Sequence, residues 1–205
     1  MPHRKPAPNK QSGSPSTAVS PIRLFKTKGD FASWLDKNHA KSPGVWMRFG
    51  KKGSGIKSTN HAEALEVALC YGWIDALARS EDEKTYLQRF MPRRPKSLWS
   101  KINREKALAL IESGQMRPAG LAEVERAKND GRWDAAYDSP ANAQVPEEFQ
   151  KELDRRPRAK AFFETLNKVN RYAIIWRIQT AKKPETRERK IQTLIEMLEK
   201  GETIH

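Results

Sequence analysis

Between Asn60 and Ile74 the apolar positions recur at spacings of three and four on more than one face: Ala62, Leu65, Leu69 and Trp73 form one stripe, and Val67, Cys70 and Ile74 a second. A helix apolar on this many sides is buried among other elements. The pattern therefore predicts a central helix, capped by Thr59 or Asn60 and closed by Asp75. Elsewhere the period is two. Val45, Met47 and Phe49 alternate with Trp46 and Arg48, and Tyr86, Gln88 and Phe90 alternate with Thr85, Leu87 and Arg89, which is the signature of half-buried strands. Strands are expected over residues 22–25, 45–49, 76–79 and 84–91, the last two forming a hairpin about the polar turn Ser80 to Glu83.

Punctuation divides the remainder into helices. Asp30 is read as a cap for a helix bearing Phe31, Trp34 and Leu35, which Pro43 and Gly44 end. Pro92 and Pro95 force extended backbone through PRRPKS. Ser97 or Ser100 then caps a helix carrying Trp99, Ile102, Ala107, Leu110 and Ile111 to near Gly114, with Asn103 inside the apolar arc. Further helices carry Leu121 and Val124; Phe149 and Leu153, with Pro146 at the first position; Phe162, Phe163 and Leu166; Tyr172, Ile175 and Trp176; and Ile191, Leu194, Ile195 and Leu198. An α+β fold follows: a small antiparallel sheet packed on a central helix, with a helical C-terminal half. Residues 1–20, rich in Pro, Ser and Lys, are expected to be a disordered tail. Residues 21–140 are expected to be the α+β core, and residues 141–205 a helical bundle of the same unit.

Charge changes the picture more than composition does. The chain of 205 residues is 37% apolar and 31% charged, with a mean hydropathy of -0.82, so it can bury a core beneath a hydrated surface. Its net charge is +14, and because residues 1–28 hold six basic and no acidic groups, +8 remains on the rest. Such a field attracts nucleic acid, anionic membrane or anionic small molecules without choosing among them. No run of apolar residues is long enough to span a bilayer, and the N-terminus lacks the apolar core of a secretory signal. The expected location is the cytoplasm.

Candidate chemistry is concentrated in one stretch. From Arg89 to Lys106 there are seven Lys and Arg residues against one Glu, interleaved with Phe90 and Trp99 and close to Tyr86. Arginine presents planar donor pairs to phosphate or carboxylate, and an indole face supports stacking. A helix start near Ser100 adds backbone donors. The bland alternative is that Arg89, Arg93 and Arg94 pair with Asp75, Asp134 or Asp138. The loop GKKGSGIKS adds Lys51 and Lys52 but has neither the GxGxxG nor the GxxxxGK[ST] spacing. Cys70, the one cysteine, reads as a buried thiol. His3, His39, His61 and His205 have no metal-ligand spacing, and no cofactor or metal is called for. Lys151 to Lys190 holds 13 basic and five acidic residues, which on bundle helices is a solvated face.

The run ALCYGWIDALARSEDEKTYLQRFMPRRPKSLWSKINREKA, with GVWMRFGKKGSG before it and MRPAGLAEVERAKNDGRWDAAYDSP and RYAIIWRIQTAKKPETRERKI after it, resembles the YdeI/OmpD-associated family. The resemblance extends from about Leu24 to Glu202. It implies a role in protection against bacteriocins or cationic antimicrobial peptides and a porin as an associate, and it supplies no catalytic residues.

The expectation is thus a non-enzymatic resistance protein binding an anionic ligand through Lys51, Lys52, Trp73, Asp75, Arg89, Arg93, Arg94, Trp99, Ser100 and Asn103. Nucleic-acid binding by the same surface is one alternative, and an enzyme with Asp75 as acid or base is another.

Overall fold

The computed structural model describes residues 20–205, so the expected tail lies outside the described residues except for Ser20. In chain order the elements are β1 (Ile22–Arg23), α1 (Lys28–Asn38), β2 (Val45–Gly50), α2 (His61–Cys70), β3 (Trp73–Ser80), β4 (Thr85–Pro92), α3 (Lys101–Glu112), α4 (Pro118–Asn129), α5 (Glu147–Asp154), α6 (Pro157–Thr165), α7 (Lys168–Gln179) and α8 (Pro184–Glu199). The fold is α+β with a helical C-terminal half.

Local chemistry sets these boundaries. Helix α1 begins at a capping box in which Thr27 and Asp30 exchange side-chain-to-backbone bonds, so Asp30 is the third helical residue and not the cap. Asn60 and Glu63 do the same for α2, while Pro146 caps α5 from just outside it. The apolar pattern of α2 continues to Trp73, yet the helix stops at Cys70. Gly72 adopts φ +70°, and a Cβ there would lie 2.9 Å from the Ala119 carbonyl oxygen. Gly120 meets the Cys70 carbonyl from the other side, where a Cβ would come within 2.4 Å. Only glycine permits both the left-handed turn and the close approach of α2 to α4. Trp73 and Asp75 therefore begin β3 and do not close a helix.

The sheet order is β1-β2-β4-β3. β2, β4 and β3 are antiparallel neighbours, but β1 runs parallel to β2, so the sheet is mixed where an antiparallel one was expected. The reason is that α1 intervenes between β1 and β2, and a crossover through a helix returns the chain in the same direction.

Two apolar clusters result. The first joins the inner face of the sheet (Val45, Met47, Phe49, Phe90) to Phe31, Leu35, Leu65, Leu69, Trp73, Trp99, Val124 and Trp133. The second is formed by the C-terminal helices through Phe149, Leu153, Phe163, Ile174, Ile178, Ile195 and Leu198. Residues 137–138 connect them. The Tyr137 ring meets that of Trp176 edge-on at 6.1 Å, and the Tyr172 hydroxyl donates to the Asp138 carbonyl at 3.0 Å.

Candidate functional site

Strand β4 delivers the chain into the first cluster at Arg93, whose backbone N–H donates to the Gly72 carbonyl at 3.0 Å. The proline-bent segment then crosses the sheet end to Ser100, whose hydroxyl accepts the Asn103 N–H at 3.2 Å and caps α3. Tyr137 runs beside it, its N–H donating to the Trp99 carbonyl at 3.0 Å.

Inside this corner the Arg93 guanidinium lies 3.6 Å from the centroid of the Trp99 ring, and Trp99 in turn meets Trp133 edge-on at 4.9 Å. Arg93 is only 5% exposed. Its Nη1 donates to the Leu98 carbonyl at 3.1 Å, but Nε and Nη2 have no partner among the described residues, and neither does the Trp99 indole Nε1. Beside them Arg132 is also buried. Its Nε donates to both Asp130 oxygens at 2.7 Å, its Nη1 donates to the Ser97 carbonyl at 2.8 Å and lies 3.6 Å from Glu123 Oε1, and its Nη2 is unpartnered. Glu123, buried in α4, pairs with Arg126.

The electrostatics follow from burial. Desolvation pulls the Arg93 guanidinium down to about 10, against the opposing pull of Glu123. Desolvation likewise pushes the Glu123 carboxyl up, although Arg126, Arg93 and Arg132 all draw it down. Two cations thus share an interior with one carboxyl that burial biases toward its neutral form. Asp130 offsets Arg132 from the rim, which leaves Arg93 without a carboxylate of its own, and the unpartnered buried atoms here are four donors, Arg93 Nε and Nη2, Arg132 Nη2 and Trp99 Nε1, against one acceptor, Glu123 Oε1.

The residues singled out from the sequence separate into two groups. Arg93, Trp99, Ser100 and Asn103 are brought together, with Asn103 half-buried at the start of α3. Trp73 is core, its indole N–H donating to the His39 carbonyl at 3.2 Å. Lys51 reaches across the hairpin to the Asp82 carbonyl at 2.7 Å, and Lys52 and Arg94 are exposed. Arg89 points away from the core, toward the Ser20 hydroxyl at 3.4 Å. Strand parity explains this, because Phe90 occupies the inner face and its neighbour must take the outer. The expected convergence of all the arginines on one hollow is therefore corrected to Arg93 alone. The bland pairing is not found either: Asp75 bonds His61 Nε2 at 3.0 Å, and Asp138 bonds Lys101 at 2.7 Å.

Sequence reasoning missed Arg132, Glu123 and the His61–Asp75 contact. The DGRWD run places Arg132 beside Trp133 and two residues after its partner Asp130, but nothing local marks Ser97 or Glu123. A cleft of about 400 Å³ lined by Lys28, Ala32, Val67, Cys70, Tyr71 and Arg117 opens between α1, α2 and the start of α4, away from the arginine corner. Among the described residues no cluster of His, Cys, Asp and Glu is arranged to hold a metal, and no helix is long and apolar enough to cross a membrane.

Residues 23–123, which run from the end of β1 through β4 and α3 and include Arg93, match the model of a domain of unknown function (DUF8412). Residues 142–201, which cover α5 to α8, match the model described as Bacteriocin-protection, YdeI or OmpD-Associated. No curated protein and no solved structure matches the chain. The resemblance read along most of the sequence is thus anchored in its helical C-terminal part, where residues 142–201 are similar to the YdeI/OmpD-associated family.

Proposed function

We propose that the protein is a non-enzymatic, cytoplasmic protein of the bacteriocin-protection class that binds a small anionic group at the Arg93–Trp99 corner. The observation that carries this reading is the buried Arg93 guanidinium, whose Nε and Nη2 lack an acceptor while Arg132 Nη2 and Trp99 Nε1 in the same cluster lack one too. Each buried donor left unpaired costs about 1–3 kcal/mol. A carboxylate or phosphate oxygen would satisfy several of them at once and neutralise the excess cation. The similarity of residues 142–201 to the bacteriocin-protection, YdeI or OmpD-associated family supports the protective role, and OmpD in that name supports a porin as an associate.

Thermal unfolding and calorimetry in phosphate, acetate and chloride test the binding. Phosphate or acetate is expected to raise the melting temperature of the wild type, and Arg93→Met to abolish that rise. Lys52→Ala and Arg94→Ala should leave it intact. An unchanged anion response in Arg93→Met would overturn the reading. In cells, loss of the protein should increase sensitivity to a cationic antimicrobial peptide, and Arg93→Met should fail to restore tolerance.

A second reading, acid-base catalysis at Asp75, has one observation in its favour: the 3.0 Å contact with His61, both side chains being partly exposed. It requires a turnover that Asp75→Asn abolishes while anion binding persists. Nucleic-acid binding would instead show as salt-sensitive retention of RNA or DNA.

A further inference from the structure

The outer face of the sheet, turned away from the first apolar cluster, carries a second arrangement that the anion site does not use. Register places Ile22 beside Trp46, and Trp46 beside Arg89. On β3 the pairing slips between Asp75 and Ala78, so that Ala76 and Leu77 both lie opposite Arg89. Such a bulge carries its extra residue out of the alternation. One row across the four strands therefore reads Ile22, Trp46, Arg89, Leu77. The next reads Arg48, Leu87, Arg79.

These rows expose aliphatic side chains at their outer ends, while Leu87 in the middle is buried. Leu77 is 65% exposed, Ile22 45% and Leu24, two residues on, 37%. These three are among the few large aliphatic side chains that the fold leaves in water: Ile22 and Leu77 end one row at opposite edges of the sheet, and Leu24 follows just past β1. Between them the Arg79 guanidinium stacks on the Trp46 ring at 4.7 Å. Arg48 is held by Glu81, whose carboxylate it grips through Nε at 2.7 Å and Nη2 at 2.6 Å. Arg89 reaches the Ser20 hydroxyl at 3.4 Å, and its Nε has no partner among the described residues.

We propose that this face is a docking surface for an anionic lipid bilayer, with Ile22, Leu24 and Leu77 entering the interface, Trp46 lying at headgroup depth, and Arg79 and Arg89 meeting lipid phosphates. Exposed aliphatics at both edges of one sheet face mark an interaction site, and it is the mixture with Trp46 and the arginines that selects the occupant. Aliphatic side chains have no face on which a base can stack, so a single-stranded nucleic acid would leave Ile22, Leu24 and Leu77 unused. A second copy placed face to face would set Arg79 and Arg89 against the same cations. A bilayer surface offers hydrocarbon for the aliphatics, a belt suited to indole, and phosphate for arginine. The chain's net charge of +14 has the sign that brings it to such a surface.

The test is co-sedimentation of the full chain with vesicles of phosphatidylglycerol in phosphatidylcholine, and with phosphatidylcholine alone. Because net charge by itself attracts any cationic protein to the first, the decisive comparison is between variants of equal charge. Leu77→Asp lies on the face. Val169→Asp, on the C-terminal helix α7 and 64% exposed, does not. Leu77→Asp is expected to weaken binding to phosphatidylglycerol vesicles about tenfold or more, since it withdraws one aliphatic anchor and adds a repelled charge. Val169→Asp is expected to change binding by less than about twofold. Ile22→Asp is the independent second variant, and an unchanged melting temperature shows that either variant is folded. Failure of the wild type to bind phosphatidylglycerol vesicles would overturn the proposal, as would equal losses in Leu77→Asp and Val169→Asp. So would a result in which Leu77→Asp abolishes retention of single-stranded RNA, or a concentration-dependent dimer, while vesicle binding is unaltered.

Discussion

In the sheet-containing part of the molecule Arg93 and Arg132 are buried, Arg93 with its guanidinium against Trp99, whereas in the helical part the described arginines are at most half-buried, Arg171 leaning on Phe163 at 5.5 Å. There Arg155, Arg156 and Arg187 pair at the rim with Glu152, Glu199 and Glu148. The second cluster itself is built from Phe149, Phe163, Ile174, Ile195 and Leu198, with Asn170 as a buried polar neighbour. A chain this basic can keep its cations hydrated, and the C-terminal helices show how. Burying two arginines in the other half costs free energy that packing alone does not require. That is why the arginine corner, and not the longer basic run from Lys151 to Lys190, is the place to look for a ligand.

The contrast is tested most strongly within the corner, where one buried arginine is paired and the other is not. Arg132→Met removes the cation shared by Asp130 and the Ser97 carbonyl and lying near Glu123, and it should lower stability by about 3–5 kcal/mol. Arg93 has no carboxylate partner to abandon. Loss of its contact with Trp99 is offset by relief of an uncompensated desolvation, so Arg93→Met should stay within about 1 kcal/mol of the wild type in anion-free buffer. Chemical denaturation of the two variants side by side decides the matter. Equal losses would mean that Arg93 is an ordinary structural arginine.

How far this contrast was legible in the sequence depends on distance along the chain. The period-two stretches around Met47 and Gln88 gave both central strands, because alternation is written residue by residue. Arg93 and Trp99, six positions apart across Pro95, were legible as neighbours because they are close along the chain. Alternation also placed Arg89 on the face opposite Phe90, which already set it apart from any pocket on the inner side. The partners of the buried charges were not legible. Arg132 meets Ser97 from 35 residues away and His61 meets Asp75 across 14, and a carboxylate on one helix carries no mark of the guanidinium it will face. The turn at Gly72 was missed because the apolar stripe runs straight through it. What ends α2 is the closeness of α4, a tertiary fact.

A third test lies where the two halves touch. Burial, with Tyr137 and Asp138 adding to it, pushes the Tyr172 hydroxyl up to about 12. The folded protein therefore keeps a proton that an unfolded tyrosine releases near ~10. The stabilisation is fully present below about pH 10 and is lost as pH rises through about 12. Tyr172→Phe should thus show a shallower fall in stability over that interval, measured by denaturant melts at stepped pH. Identical slopes would mean that the hydroxyl is not held at the junction.

The smallest effect is expected on the solvated face of the bundle. Lys151 and Glu147 are one helical turn apart at 2.7 Å, with side chains 64% and 82% exposed. At that exposure water screens most of the attraction, and holding two long side chains in one geometry costs entropy, so the pair is worth about 0.3–0.5 kcal/mol. Lys151→Ala should therefore change stability by no more than that, and moderate salt should erase the difference. A loss above about 1 kcal/mol that persists in salt would show that charge on these helices is structural as well. The C-terminal basic run would then regain its claim as a candidate site, and the distinction between a hydrated half and a half with buried cations would no longer hold.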